Sequence, residues 1–428
     1  MTYSGVGINV ERLIETIVES GKFGRNPPIG VKKYSELDET KGVTRLTGSE
    51  ADRKARDYIV RLMEEAGLAV KVDVVGNIYG RLEGTRYKTG TVMTGSHIDT
   101  VVNGGQFDGA LGVFGSIEAI KSLIEENFIN DRPIEIVVFT AEEGSAFTPS
   151  LLGSSVLVGK LSVEEALRAR NSEGKTLEEA LENIGYKGNC IRGLDDVEYM
   201  VELHIEQGPI LWSEGIPIGV VENINGITWL KVTVEGEASH AGTIPMRMRK
   251  DPLVASAEVI MYVYKNAERI SPTTLGTVGK MQVYPNVINT IPGRVEMGID
   301  IRDFNENNIF KFKEDIEDFL EQLTLKYRVR VSTQTLLTHK PVPLSNEVVN
   351  VIENAAKQMG IKTKRVNSGA GHDSQNLASK VKTGMIFVPS YRGISHSPLE
   401  WTDWNDVITG VRVLKETIKA LASSPLNE

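Results

Sequence analysis

Five side chains able to ligate a divalent cation, His97, Asp108, Glu143, His204 and His396, form a pattern in this chain, and a further acid, Glu142, stands beside one of them. Two cations about 3.5–4 Å apart need one carboxylate to bridge them, with imidazole and carboxylate ligands at either end. A further carboxylate, close to the cations but not bound, can take a proton from the water they activate. These residue types point to hydrolysis.

Each member has its own context. His97 lies in GSHIDT, and Asp99 two positions on is expected to accept the second imidazole N–H and so fix the ring. A chance H-x-D in a surface loop is the alternative. Asp108 lies in NGGQFDGALGVF. Gly104, Gly105 and Gly109 suit a tight loop whose backbone must approach something closely. Asp108 can bridge two cations there, or cap the helix that follows. Glu142 and Glu143 close an apolar run, VVFTAEE. Adjacent buried acids repel each other unless cations or protons offset them. On extended backbone their side chains diverge, so one can ligate while the other faces the water; a solvated acidic turn is the alternative. His204, in VELHIEQG, and His396, in RGISHSPLEWT, carry little signal singly.

The elements that must position these residues read as an α/β chain. TGTVMTGSH is a strand ending at His97. ALGVFGSIEAIKSLIEEN is an amphipathic helix with Val113, Ile117, Ile120 and Ile124 on one face. IEIVVFTAEE is a strand running into the glutamate pair, and VEYMVELHIEQG is a strand reaching His204. The candidate ligands thus fall at the carboxyl ends of strands, where open α/β sheets place their sites. From about residue 218 the order becomes β-α-β-β-α-β, the split unit of a small sandwich, and strand–helix alternation then resumes. Because His396 must reach the same cations as His204, the expected architecture is one catalytic domain from residues 1–217 and 338–428. It carries a mixed, mostly parallel sheet flanked by helices, with residues 218–337 inserted.

At 428 residues the chain exceeds what one core normally supports, which fits two domains. A net charge of -9 argues against nucleic acid as a partner. No apolar run approaches the roughly 18 residues a membrane span needs. The start, MTYSGVGINVERLIETIVES, reads as an amphipathic helix and not as a signal peptide. The single cysteine, Cys190, rules out an internal disulfide and fits a reducing, cytoplasmic compartment.

GSHIDTVVNGGQFDGALGV, FTAEEGSAFTPSLLGS, ELHIEQGPIL, ASHAGTIPM, NTIPGRVEMGIDIR, SGAGHDSQNLA and GISHSPLEWT, in that order, resemble the hydantoinase/carbamoylase family. Its members hydrolyse N-carbamoyl-L-amino acids, allantoate or β-ureidopropionate, and it belongs to a larger superfamily of di-metal aminoacylases and carboxypeptidases. The resemblance implies that Asp108 bridges two ions, with His97 and His204 on one and Glu143 and His396 on the other. It makes Glu142 the general base. It places Gln207, His240, Asn289, Arg302 and the backbone at Gly371 against a small ureido-acid substrate. It also implies a homodimer, the inserted domain offering His240 and Asn289 to its partner's site.

A thiolate-free His/carboxylate set suits Mn, Co, Ni or Zn alike. Arg302 could hold a substrate carboxylate bidentately, or pair with Asp300 or Asp303 on the surface. His240 could donate to an oxygen on which charge develops, or be a polar loop histidine. A metallo-aminopeptidase or deacylase is the rival activity, and the histidine of HIEQG counts against it, since the peptidase branches tend to carry an acid there. Two positions depart from the usual pattern: Ala146, where many members carry arginine, and Thr290, where valine is common. Arg247–Lys250 reads as a solvated helix entrance, and Asp373 as the cap of the helix SQNLASK.

Overall fold

Four segments rich in apolar residues, at 91–97, 134–139, 197–205 and 382–388, are almost wholly buried in the computed structural model, as the centre of a parallel sheet requires. The structure describes residues 7–423. In chain order it runs α1 (Val10–Ser20), β1 (Ala69–Val72), β2 (Ile78–Leu82), β3 (Thr91–His97), α2 (Ala110–Glu125), β4 (Ile134–Phe139), β5 (Val197–Ile205) and β6 (Ile218–Ile224). Then come β7 (Gly226–Glu235), α3 (Pro252–Ile270), β8 (Leu275–Tyr284), β9 (Arg294–Asp303), α4 (Glu306–Tyr327) and β10 (Arg330–His339). The chain closes with α5 (Asp373–Leu377), β11 (Lys382–Val388) and α6 (Trp404–Ala422); two further long helices, Glu50–Glu65 and Asn346–Gln358, and several short elements lie between these.

Two units form. Met1–Glu222 with Pro343–Glu428 makes the larger, and Asn223–Val342 the smaller. These limits lie a few residues beyond 217 and 338, because β6 pairs antiparallel with β11, Val220 opposite Ile386, and so belongs to the larger sheet. That sheet has nine strands and runs β1-β2-β4-β3-β5-β11-β6, with short strands completing the β6 side. β4, β3, β5 and β11 are mutually parallel. From β3 the chain moves to β4 on one side, then crosses back to β5 on the other. A crevice opens at such a switch point, beyond the carboxyl ends of the strands.

α2 is not the one-faced helix expected from its pattern: residues 110–120 are buried without a break. It packs against β3, β5, α1 and α6. Glycine makes this possible, since a Cβ at Gly112 would collide with the Leu203 carbonyl and the Ser96 side chain. Its buried Glu118 is compensated by Arg12 of α1, with bonds of 2.6 and 2.9 Å, as an interior charge must be. The N-terminal helix begins only at Val10, with Asn9 as its cap; the earlier part of that reading, residues 1–6, lies outside the described residues.

The smaller unit is a four-stranded antiparallel sheet, β10-β7-β9-β8, built as β-α-β-β-α-β. Alternate residues of β7 and β9 (Leu230, Val232, Val234, Val295, Met297, Ile299, Ile301) are buried against Val259, Val263, Phe312, Ile316 and Leu320 of α3 and α4, the period-two pattern of a sheet covered on one face. Among the described residues no helix is long and apolar enough to cross a membrane.

Candidate metal centre

His97 ends β3, and His204 is the penultimate residue of its parallel neighbour β5. Both rings have Nδ1 engaged by a backbone carbonyl, Asp99 O at 3.0 Å and Ile205 O at 2.9 Å. This leaves Nε2 on each as the atom that could ligate an ion. Asp108 hangs from the loop before α2. Its Oδ1 lies 3.2 Å from His204 Nε2 and 3.8 Å from His97 Nε2, while Oδ2 lies 3.2 Å from His396 Nε2. His396 Nε2 is also 3.4 Å from Glu143 Oε2. The ligand atoms therefore cluster as His97–Asp108–His204 and as Asp108–Glu143–His396, with Asp108 common to both. Gly109 has φ +64°, and a Cβ there would overlap the His97 ring, so that position requires glycine.

Two local expectations are corrected. The Asp99 carboxylate does not orient His97: its Oδ1 is 3.8 Å from Nδ1, which the Asp99 carbonyl already occupies. The carboxylate instead accepts the backbone N–H groups of Glu142 (3.2 Å) and Glu143 (3.1 Å), so Asp99 positions the glutamate loop. Nor do those glutamates lie within the strand. β4 stops at Phe139, Ala141 has φ +54° and the chain bends at Glu143, so the pair sits in a turn beyond the strand end. Glu142 is buried, with Oε2 3.6 Å from His97 Nε2.

Gln207 joins the centre, its Nε2 3.0 Å from Asp108 Oδ2. Gly371 is exposed in the loop before α5. The adjoining His372 packs on His204, ring centroids 4.5 Å apart, and bonds Ser368 Oγ at 2.8 Å. Asp373 does not cap α5. His372 holds the cap position, and Asp373 is the first helical residue, with both carboxylate oxygens buried and without hydrogen-bond partners. His240, Asn289 and Arg302 belong to the smaller unit. His240 pairs with Thr290 in a two-stranded ribbon, and the Ala241 N–H donates to the Asn289 carbonyl at 3.0 Å, so those two are neighbours. Arg302 is held bidentately by Asp300, at 2.9 and 3.0 Å. Arg247 and Met248 are exposed and Arg249 and Lys250 half-buried, within and just after a short 3-10 turn before α3.

Three residues of the centre escaped the sequence reading. Glu202, buried, accepts Ser96 Oγ (2.7 Å) and Ser374 Oγ (2.6 Å). Glu400, buried, accepts the N–H groups of Phe107 and Asp108. Ser395 Oγ lies 2.9 Å from Glu400 Oε2 and 3.3 Å from Asp108 Oδ2. Signals existed: Glu202 is an acid two residues before His204 on one strand face, and Glu400 stands alone between Leu399 and Trp401.

The electrostatics fit a cation site. Burial pushes Glu143 up to about 9, with Asp108 and Asp99 adding. Burial pushes Glu142 well above the usual carboxylate range, with Asp373 and Glu143 adding. Glu400 rises to about 7 through burial and Asp108. Burial lowers His97 to about 4, whereas in His204 the Asp108 carboxylate outweighs burial and raises it to about 9. Glu143 Oε1 is buried with no donor facing it. Carboxylates and neutral imidazoles crowded this way are stabilised by protons or by divalent cations.

A pH dependence follows. Between about pH 6.5 and 8.5 the folded chain holds protons on Glu143 and His204, and up to about pH 7 on Glu400, that the unfolded chain has released. In chelator, stability should therefore fall as pH rises through that window. Added Mn or Co should restore it, raising Tm by about 3 °C more at pH 8.5 than at pH 6.5. Thermal melts in both conditions read this, and a pH-independent metal effect would contradict it.

Fold and site together define a hydrolase of the open α/β type with clustered histidine and carboxylate side chains. The family description Peptidase family M20/M25/M40 matches residues 93–420, which contain all five candidate ligands. An N-carbamoyl-L-amino acid amidohydrolase of Geobacillus stearothermophilus is 40% identical over 419 residues, 97% of this chain and 99% of that protein. An allantoate amidohydrolase of Bacillus subtilis is 36% identical over 383 residues, 89% and 93% respectively. The crystal structure of an amidase of the hydantoinase/carbamoylase family from Burkholderia multivorans superposes with TM-score 0.92 at 35% identity, covering 98% of this chain and 100% of that one. The chain belongs to peptidase family M20/M25/M40 and, within it, to the hydantoinase/carbamoylase family.

Proposed function

We propose that this hydrolase cleaves the carbamoyl C–N bond of an N-carbamoyl-L-amino acid or a related small ureido acid, with two divalent ions held by the five-ligand cluster and Glu142 as general base. The observation that carries it is the geometry of Asp108, whose two oxygens face different ligand pairs while Glu142 stands beside them. In this reading His97 and His204 serve one ion, and Glu143 and His396 the other. Bound there, Mn, Co, Ni or Zn supplies Lewis acidity that polarises the carbonyl and acidifies water.

The chain's own groups do the rest. Glu142 takes a proton from the attacking water and returns it to the departing nitrogen. Asp99 holds the Glu142–Glu143 loop through its backbone, and Gln207 lies against the bridging carboxylate. His240 and Asn289 present donors to the carbonyl oxygen. They would come from the partner in a twofold homodimer with composite sites. Arg302 takes the substrate carboxylate in exchange for Asp300, and the backbone at Gly371 completes the pocket. Breaking the bond to the amino-acid nitrogen gives the free amino acid and carbamic acid, which decomposes to ammonia and carbon dioxide.

The test is a turnover screen in added Mn over N-carbamoyl-L-amino acids, N-carbamoyl-β-alanine, allantoate, acetyl-amino acids and dipeptides. A carbamoyl substrate should exceed the acetyl and dipeptide substrates in kcat/KM by about 100-fold or more, equivalent to about 3 kcal/mol. Equal or better turnover of dipeptides would favour the aminopeptidase reading instead.

A further inference from the structure

We infer that Glu400 and Ser395 form a clamp that assembles the His396 half of the metal centre, and that this half can be lost separately from the His97–His204 half. The inference rests on the two-ion reading above. His97 and His204 lie at the ends of the neighbouring strands β3 and β5, each in register with a further strand (His97 with Phe139 of β4, His204 with Phe387 of β11), so the sheet itself holds them. His396 has no such support. It lies in a loop, half its side chain is exposed, and its φ of +53° is one that a non-glycine residue keeps only under constraint.

The constraint is visible. Glu400 Oε1 accepts the N–H of Phe107 at 3.0 Å and of Asp108 at 3.1 Å, and Oε2 faces Ser395 Oγ at 2.9 Å. One carboxylate thus joins the loop bearing Asp108 to the loop bearing His396, nearly 300 residues apart. Gln207 Nε2 reaches both Asp108 Oδ2 (3.0 Å) and Ser395 Oγ (3.3 Å), closing the ring of contacts. The loops leave no slack: a Cβ at Gly105 would overlap the Glu400 carboxylate, and Phe107 packs edge-on against Trp401 with centroids 5.5 Å apart. An acid buried against Asp108 raises the negative charge of the centre, which only a fixed geometric role or a nearby cation offsets. Glu400 reaches the chemistry through Asp108 and Ser395, so it is a positioning residue.

Glu400→Gln keeps an oxygen for the two amides but places an NH2 group or an unsuitable acceptor toward Ser395. Ser395→Ala removes the tie from the other side. Cobalt titration, followed by calorimetry and visible absorption, counts the ions. The wild-type chain should take up two. Both variants should bind the first with affinity within about 3-fold of wild type and the second about 10–100-fold more weakly, with activity recovered at high cobalt. Two ions bound at wild-type affinity in both variants overturns the clamp, and so does parallel loss of both ions from variants whose melts show an intact fold. A wild-type chain that binds fewer than two ions ends the two-ion reading itself, and the clamp with it.

Discussion

Glu142→Gln is expected to lower kcat by about 10³-fold while leaving the ion content of the chain unchanged. The substitution is isosteric, and the loop it occupies is held by backbone groups: the Glu142 and Glu143 N–H groups bond Asp99, and the Leu151 N–H donates to the Glu142 carbonyl at 2.8 Å. Loop shape should therefore survive. What disappears is the capacity to accept a proton, in a carboxyl whose affinity for protons is raised by burial and by Asp373, Glu143 and Asp99. A base with a raised pKa is suited to take a proton from water and still release it to an amine. The competing role is ligation, since His97, Glu142 and Glu143 also lie close enough to hold an ion. Metal analysis after dialysis separates the two. Ion content and activity falling together would make Glu142 a ligand, and turnover within about 10-fold of wild type would make it a bystander.

The legibility of this centre in the sequence divides by the range of the forces involved. Strand-end positions of His97 and His204 were readable because short segments rich in β-formers and apolar residues at 91–97 and 197–205 suit buried strands, and their ends are where such sheets bind ligands. The β-α-β-β-α-β order of 226–339 was readable for the same local reason, period-two burial alternating with helical spacing. α2 was misread because its apolar pattern shows one face, while its glycines and small residues admit neighbours on every side. The Asp99 role was misread for a different reason. Spacing says that an acid two residues from a histidine can turn toward it, but not that a carbonyl will reach the ring first and leave the carboxylate for a loop more than 40 residues away. Asp373 was misread as a cap since sequence cannot show that His372 turns inward ahead of it. Glu400 stood out only as an acid between two apolar residues; its role was not legible, because two of its three partners are backbone amides, which every residue has. Contacts made through side-chain chemistry can be guessed from residue types; contacts made to the main chain appear only once the chain is folded.

Asp108→Ala is expected to abolish stoichiometric binding of both ions and to lower kcat/KM by about 10⁴-fold or more, since ion-derived stabilisation of several kcal/mol is forfeited at roughly tenfold per 1.4 kcal/mol. Asp108 belongs to both halves of the cluster. Oδ1 faces His204 and His97, Oδ2 faces His396, and each half of the cluster is left with two ligands once the shared one is gone. The Asp108 main chain should stay in place, because Glu400 grips its N–H and that of Phe107, and neither bond involves the deleted side chain. Loss of binding would then report on the carboxylate alone. His396→Ala supplies the contrast: it touches only the Glu143 half, so one ion should remain at wild-type affinity. Calorimetric titration with Mn or Co measures both variants. An Asp108→Ala chain that still retains one tightly bound ion would show that the two halves are built independently, and that no single carboxylate bridges them.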